Sequence, residues 1–133
     1  MRDNRTIGGR APDEAAIGEV ARAYIESWLD GEAGRMGSAL HPMLAKRGLD
    51  YGPEAAPIGI HHLDTEYMVE SAGRGPRPQY GREADVTILD LADNVASVKV
   101  VSEPFVDYLH LARIDGRWWI VNVLYEDRHL SDP

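Results

Sequence analysis

Apolar residues recur at helical spacing early in the chain. Ile17, Val20, Ala21, Tyr24, Ile25, Trp28 and Leu29 fall on i, i+3, i+4, i+7 positions and form one broad face. The helix is expected to open at Pro12, which suits a first helical position. Asp13 and Glu14 there complement the positive helix end. Gly31 ends it. A shorter helix over 32–40 carries Gly34 and Gly37, so packing must hold it. Residues 41–62 contain three prolines and three glycines and read as loop, with room for a short strand or one helical turn. A third helix is expected over 65–72. Asp64 would be its N-cap, Leu63 and Met68 a hydrophobic staple, and Gly73 its end. Residues 74–81 read as extended loop.

From Glu83 to Tyr125 the period changes to two, which predicts strands. Asp93-Asn94 and Asp115-Gly116 are hairpin turn pairs. Glu103-Pro104 reads as a bulge or an edge. Counting outward from Asp115-Gly116 places Arg113, Leu111, Leu109 and Asp107 on one face with Trp118, Ile120, Asn122 and Leu124. The other face then carries Tyr108, His110, Ala112 and Ile114 beside Trp119, Val121, Val123 and Tyr125. Around Asp93-Asn94, Thr87, Leu89 and Leu91 share a face with Ala96, Val98 and Val100. Helices followed by an antiparallel meander make an α+β layer fold, with the helices on one face of a curved sheet. The first face suits burial under the helices. The second is apolar with no layer left to cover it, which predicts a homodimer packed sheet to sheet through Tyr108, Trp119, Val121, Val123 and Tyr125.

Length and composition narrow the class. The 133 residues suffice for one domain. Residues 1–11 are expected to be a mobile tail, 12–126 the domain and 127–133 a second tail. The 14 basic and 22 acidic residues give a net charge of −8. Because Arg2, Arg5 and Arg10 outweigh Asp3, the body beyond residue 10 is more acidic still. Such a body repels nucleic acid and an anionic membrane surface. There is no cysteine, which excludes disulfides and thiolate chemistry. No apolar run approaches the roughly 18 residues of a membrane span, and the first residues lack a signal peptide's apolar region. The expected location is the cytoplasm. No nucleotide-phosphate loop, dinucleotide fingerprint or nucleophile elbow is present, and no cofactor is expected.

The segments HPMLAKRG, VTILDLADNVASVKV and FVDYLHLARIDGRWWIVNVLY, behind one long and two short helices, resemble the nuclear-transport-factor-2-like superfamily. Within it the likeness is to the group labelled putative lumazine-binding proteins, over about residues 13–126. The resemblance implies a cone-shaped sheet enclosing an apolar pocket beneath the helices. Relatives include isomerases, dehydratases, polyketide cyclases and non-catalytic transport factors, so fold alone does not choose a function.

In the isomerase and dehydratase relatives a pocket acid, or a His–Asp pair, moves protons beside a carbonyl. Asp107, a carboxylate on the core face, is the candidate base. His41, at the end of the second helix, is the candidate acid, with a tyrosine as the other choice. Structural readings stand beside these: Asp107 paired with Arg113 or a backbone donor, or lying at the sheet rim near Pro104, and His41 bound to helix-end carbonyls. Tyr24, Trp28, Tyr67, Trp118 and Asn122 are candidate ligand contacts for a flat ring with a polar edge, or simply core. Lys46 and Arg47 form a basic pair suited to an anion, or a solvated loop pair. His61-His62 with Asp64, and Asp127 with His129, are weak metal cues, and no metal is expected. The leading expectation is a binder of a small apolar or aromatic molecule. An isomerase or dehydratase, and a non-catalytic dimeric interaction module, are the alternatives.

Overall fold

The computed structural model describes residues 6–128. Three helices, α1 (Thr6–Asp30), α2 (Ala33–Ala39) and α3 (Thr65–Ala72), pack on one face of a six-stranded sheet. The strands are β1 (Leu40–Tyr51), β2 (Pro57–Leu63), β3 (Ala84–Leu91), β4 (Val95–Ser102), β5 (Phe105–Ile114) and β6 (Arg117–Asp127), in spatial order β2-β1-β6-β5-β4-β3. All neighbours are antiparallel except β1 and β6, which run parallel. The architecture is the expected α+β fold; the segment that reads as loop with room for a short strand supplies the long strand β1, and with it one parallel junction. Among the described residues no helix is long and apolar enough to cross a membrane.

The helical spacing finds its physical reason in the core. Ile17, Ala21, Tyr24, Ile25 and Leu29 of α1 are buried against Val98, Val100, Leu109, Leu111, Trp118 and Ile120 of the sheet. Helix α1 begins at Thr6, so the described part of the expected 1–11 tail is helix and Pro12 stands inside it. Residues 1–5 and 129–133, including His129, lie outside the described residues. At α3 the Asp64 carboxylate accepts from the Tyr67 amide at 2.8 Å, the N-cap bond that the sequence predicts. Arg77 in the loop after α3 ties two helices together. Its guanidinium donates to the Trp28 carbonyl at 2.6 Å and to the Ser71 carbonyl at 2.7 Å, while lying 4.0 Å over the Trp28 ring.

Three local expectations are corrected. Most of residues 41–62 form strands β1 and β2 rather than loop, and only 52–56, with Pro53, is the turn between them; Pro42 lies near one end of β1 and Pro57 opens the edge strand β2, where a missing N–H costs no inner ladder bond. Glu103-Pro104 is neither bulge nor edge but the turn joining β4 to β5, where Ser102 Oγ accepts from the Phe105 amide at 3.3 Å. Asp115-Gly116 does form the tight hairpin turn, with both residues at positive φ (53° and 78°).

The third correction reverses two side-chain faces. Two β-bulges shift the registers counted from the turns. In β5–β6 the pairing passes from Leu111 with Ile120 to His110 with Asn122, leaving Val121 as the extra residue. Beyond it, Val123 (3% exposed) and Tyr125 turn inward beside Leu109 and Asp107, while Asn122 and Leu124 turn outward. In β3–β4 Leu89 is the extra residue, so Ile88 and Val86, not Leu89 and Thr87, face the core with Val98 and Val100. Each bulge adds local twist and bends its strand, which helps to curve the sheet around the helices.

Candidate functional site

The strand alternation in β1 buries Leu44, Lys46 and Gly48 and exposes Arg47. The basic pair of the sequence is therefore split across two faces. Lys46, 6% exposed, enters the interior, where an ammonium is costly unless partnered. Its partner is Tyr24 of α1: Lys46 Nζ donates to the Tyr24 hydroxyl at 2.7 Å. Tyr24 in turn donates to Asp107 Oδ1 of β5 at 2.8 Å. Asp107 is 1% exposed, and its Oδ2 has no hydrogen-bond partner among the described residues. Ammonium, phenol and carboxyl thus form one buried chain of hydrogen bonds that ends on the Asp107 acceptor.

Burial dominates the electrostatics of this chain. It lowers the Lys46 pKa to about 8, against the opposing pull of Asp107 and Asp127. Burial also raises the Asp107 carboxyl above the usual carboxylate range, although Lys46 and the Tyr24 hydroxyl act the other way. Tyr24 is pushed well above its ordinary value, first by burial and then by the Asp107 charge, so it stays a phenol.

Lys46 and Tyr24 form the polar wall of a cavity of about 150 Å³. Its other walls include Trp28, Tyr67, Phe105 and Tyr125, brought together by α1, α3, β5 and β6. Trp28 meets Phe105 edge-on at 5.0 Å, and Phe105 meets Tyr125 likewise at 5.4 Å. Lys46 Nζ lies over the Tyr24 and Tyr125 rings, 5.0 Å and 4.6 Å from their centres. Leu63 and Met68, the expected staple pair, line the same cavity.

A second polar chain reaches this cavity from the sheet edge. Tyr125, Gly48 and His61 are direct cross-strand neighbours on β6, β1 and β2. A Cβ at position 48 would lie 2.4 Å from the Tyr125 ring. Only glycine lets Tyr125 cross its neighbour strand, and its hydroxyl then meets His61 Nε2 at 2.9 Å. His61 Nδ1 contacts Asp50 Oδ1 at 2.7 Å. Burial, with the nearby carboxylates of Asp127 and Asp107, raises the Tyr125 pKa to about 12.

The sequence candidates divide accordingly. Tyr24, Trp28 and Tyr67 line the cavity. Asp107 stands behind Tyr24 and does not line it. His41 does not join Asp107: its ring packs edge-on against Trp119, 5.6 Å away on the outward face, and its Nδ1 accepts from the Met43 amide. Trp118 is core, with its indole nitrogen 3.4 Å from Asp13 Oδ1. Asn122, carried outward by the Val121 bulge, contacts His110 at 3.3 Å. Arg113 pairs with Asp13 at 3.1 Å rather than with Asp107. His61 is engaged by Asp50 and Tyr125, and Asp64 by the α3 cap; no metal-binding cluster forms among the described residues. Sequence reasoning passed over Lys46 as a pocket residue, although the Leu44-x-Lys46-x-Gly48 alternation carries the signal.

The sequence model of the family described as "Putative lumazine-binding" matches residues 12–126, nearly the whole described chain. The chain belongs to this family. Its fold is shared with a nuclear-transport-factor-2-like protein of unknown function from Silicibacter pomeroyi (TM-score 0.72, 14% identity, covering 89% of this chain and 98% of that one). A second such protein, from Methylobacillus flagellatus, has a TM-score of 0.69 at 25% identity, covering 89% and 94%. A hexachlorocyclohexane dehydrochlorinase from Novosphingobium barchaimii matches at TM-score 0.59 and 13% identity, covering 90% and 88%. No curated protein matches the chain.

Lys46 makes stability depend on pH with a definite sign. Its folded pKa of about 8 lies below the ordinary 10.5, so between these values the unfolded chain holds the proton and the folded one does not. Stability from this group therefore rises with pH from 8 toward 10.5, by on the order of 3 kcal/mol. Below pH 8 both states are protonated and the folded state carries the full cost of burying the charge. Asp107, shifted upward, acts in the other direction: its contribution falls as pH rises above the ordinary carboxylate range. Urea unfolding of the wild type and of Lys46→Met should show an alkaline rise in their difference. A difference independent of pH between 8 and 10 contradicts the assignment.

Proposed function

We propose that this protein binds a small planar molecule, one ring bearing a carbonyl or carboxylate oxygen, in the cavity between α1, α3 and the sheet. The observation that carries the reading is the ammonium of Lys46 set in a wall of aromatic rings. The rings supply apolar contact area, and Lys46 supplies a charged donor that fixes the ligand's oxygen. The cavity of about 150 Å³ is smaller than the roughly 300–1,000 Å³ of common ligand pockets, which favours a single ring over a fused system. The family's name suggests lumazine, a two-ring molecule with carbonyl oxygens, as the larger probe to test.

The isomerase or dehydratase reading requires a base in contact with substrate. Asp107 lies behind the Tyr24 hydroxyl, and His41 lies with Trp119 on the opposite face. This arrangement favours binding over direct proton abstraction by Asp107. The dehydrochlorinase likeness concerns the fold and does not alter that geometry.

Calorimetry and thermal shift with benzoate and lumazine test the reading. Benzoate should bind saturably and stabilise the fold. Lys46→Met should weaken it about 10–100-fold, the equivalent of one charged hydrogen bond. Trp28→Ala should weaken it too, and Asn122→Ala should leave it unchanged. Absence of binding by both probes, or binding indifferent to Lys46 and Trp28, rejects the site.

We also propose that a second copy of the chain covers the outer sheet face. The bulge removes Val123 from the expected interface and supplies Leu124, while Tyr125 turns inward and still borders the outer cleft. Tyr108 and Leu124 are 45% and 52% exposed there and flank a cleft of about 180 Å³ with Leu49 and Val106. Trp119 and Val121 continue the face. Light scattering should give twice the 14.7 kDa chain mass, and Leu124→Glu with Tyr108→Glu should restore the monomer. A wild-type monomer across a concentration series refutes the dimer.

A further inference from the structure

We propose that Lys46 is an imine-forming amine, which takes a small aldehyde or ketone entering the cavity into a covalent adduct. The inference rests on the cavity being a ligand site and names the chemical class of one kind of ligand. Its basis is geometric. Lys46 Nζ lines an aromatic cavity and is hydrogen-bonded to a phenol that is itself hydrogen-bonded to a buried carboxyl. An ammonium cannot attack a carbonyl, so the group needs somewhere to place a proton. The chain provides it: the Lys46 proton passes to the Tyr24 oxygen as Tyr24 gives its own to Asp107 Oδ1. Tyr24 remains a phenol throughout, and Asp107 ends as a neutral acid, the form its burial favours.

The freed amine then attacks the carbonyl carbon. A C–N bond forms, the C=O π pair moves to oxygen, and that oxygen takes up a proton. A second proton, from the nitrogen or from Asp107 through Tyr24, converts the hydroxyl to water, which leaves with the C–O electron pair as the nitrogen lone pair forms C=N. The proton held by Asp107 returns along Tyr24 to the departing oxygen or to the imine nitrogen, so charge balances without any oxidant or reductant. Surrounding Trp28, Phe105 and Tyr125 limit water around the adduct and slow its hydrolysis. The burial that lowers the Lys46 pKa to about 8 leaves about half of it unprotonated at pH 8. An ordinary lysine holds less than about 1% of its amine in that form.

The chain offers an internal control, because Lys46 and Lys99 are its two lysines. Lys99 lies on the outer face, 5.7 Å over the Tyr108 ring. The full chain is incubated at pH 8 with benzaldehyde, and separately with acetaldehyde, in the presence of sodium cyanoborohydride. Modified peptides are then mapped by mass spectrometry. Lys46 should be alkylated at least about tenfold faster than Lys99, allowing for the weaker nucleophilicity that accompanies a lowered pKa. Tyr24→Phe should slow labelling at Lys46 and not at Lys99, and excess benzoate should protect Lys46 alone. Lys46 labelled no faster than Lys99 by both aldehydes overturns the proposal. Saturable benzoate binding with an unreactive Lys46 overturns the imine chemistry alone; no benzoate binding together with no labelling overturns the cavity reading as well.

Discussion

An ammonium and a carboxyl group are sealed beneath the helices of this small domain, and a phenol joins them. Lys46, Tyr24 and Asp107 come from β1, α1 and β5, so their hydrogen bonds fix one helix to two non-adjacent strands. Apolar residues of similar size would suit the core at least as well for stability. A polar chain at this depth is a specific feature of the interior, and its ammonium opens onto a cavity rather than onto packed side chains. The aromatic walls complete the arrangement. Burial of the amine among them, working against its attraction to Asp107, keeps Lys46 close to deprotonation near neutral pH.

Two unpaired residues decide which side chains of the sheet face the core. Val121 and Leu89 are extra residues in their strands, and each reverses the faces of what lies beyond. Without the first bulge Tyr125 would point outward, and neither the cavity wall nor the Tyr125–His61–Asp50 chain would form. Gly48 completes that second chain by leaving space for the tyrosine to cross. The same reversal sends Leu124 and Asn122 to the outer face, so inner pocket and outer apolar surface are set by one register shift.

This explains which parts of the molecule could be read from the chain. The helix α1 face, the Asp64 cap, the Asp115-Gly116 turn and the inward position of Asp107 follow from local spacing and turn chemistry. Turn-based counting is valid only up to the first bulge, and nothing in the local sequence RWWIVNVLY marks Val121 as unpaired. Counting from the turn therefore puts Tyr125, Val123 and Asn122 on the faces opposite to those they occupy. Residues 41–62 failed for another reason: β1 and β2 hold their prolines and glycines where edge position and neighbouring side chains tolerate them, which is a tertiary fact. Lys46 is legible in the chain as half of a basic pair suited to an anion, but its inward direction has meaning only once β1 is a strand. Proximity to a helix end suggests the cavity for His41, whereas the β1 backbone carries it to the far side of the sheet with Trp119.

The cavity's polar wall and the buried chain both depend on the state of Lys46, which a lysine NMR titration measures directly. With isotope-labelled lysine the spectrum contains signals from two side chains, Lys46 and Lys99. Lys46 is predicted to titrate near pH 8, well below an ordinary lysine. In Tyr24→Phe and Asp107→Asn its midpoint should move, because both groups belong to the same chain of hydrogen bonds. A Lys46 midpoint at the ordinary lysine value, unchanged in those variants, would mean that the amine is solvated and that the buried chain does not exist in solution.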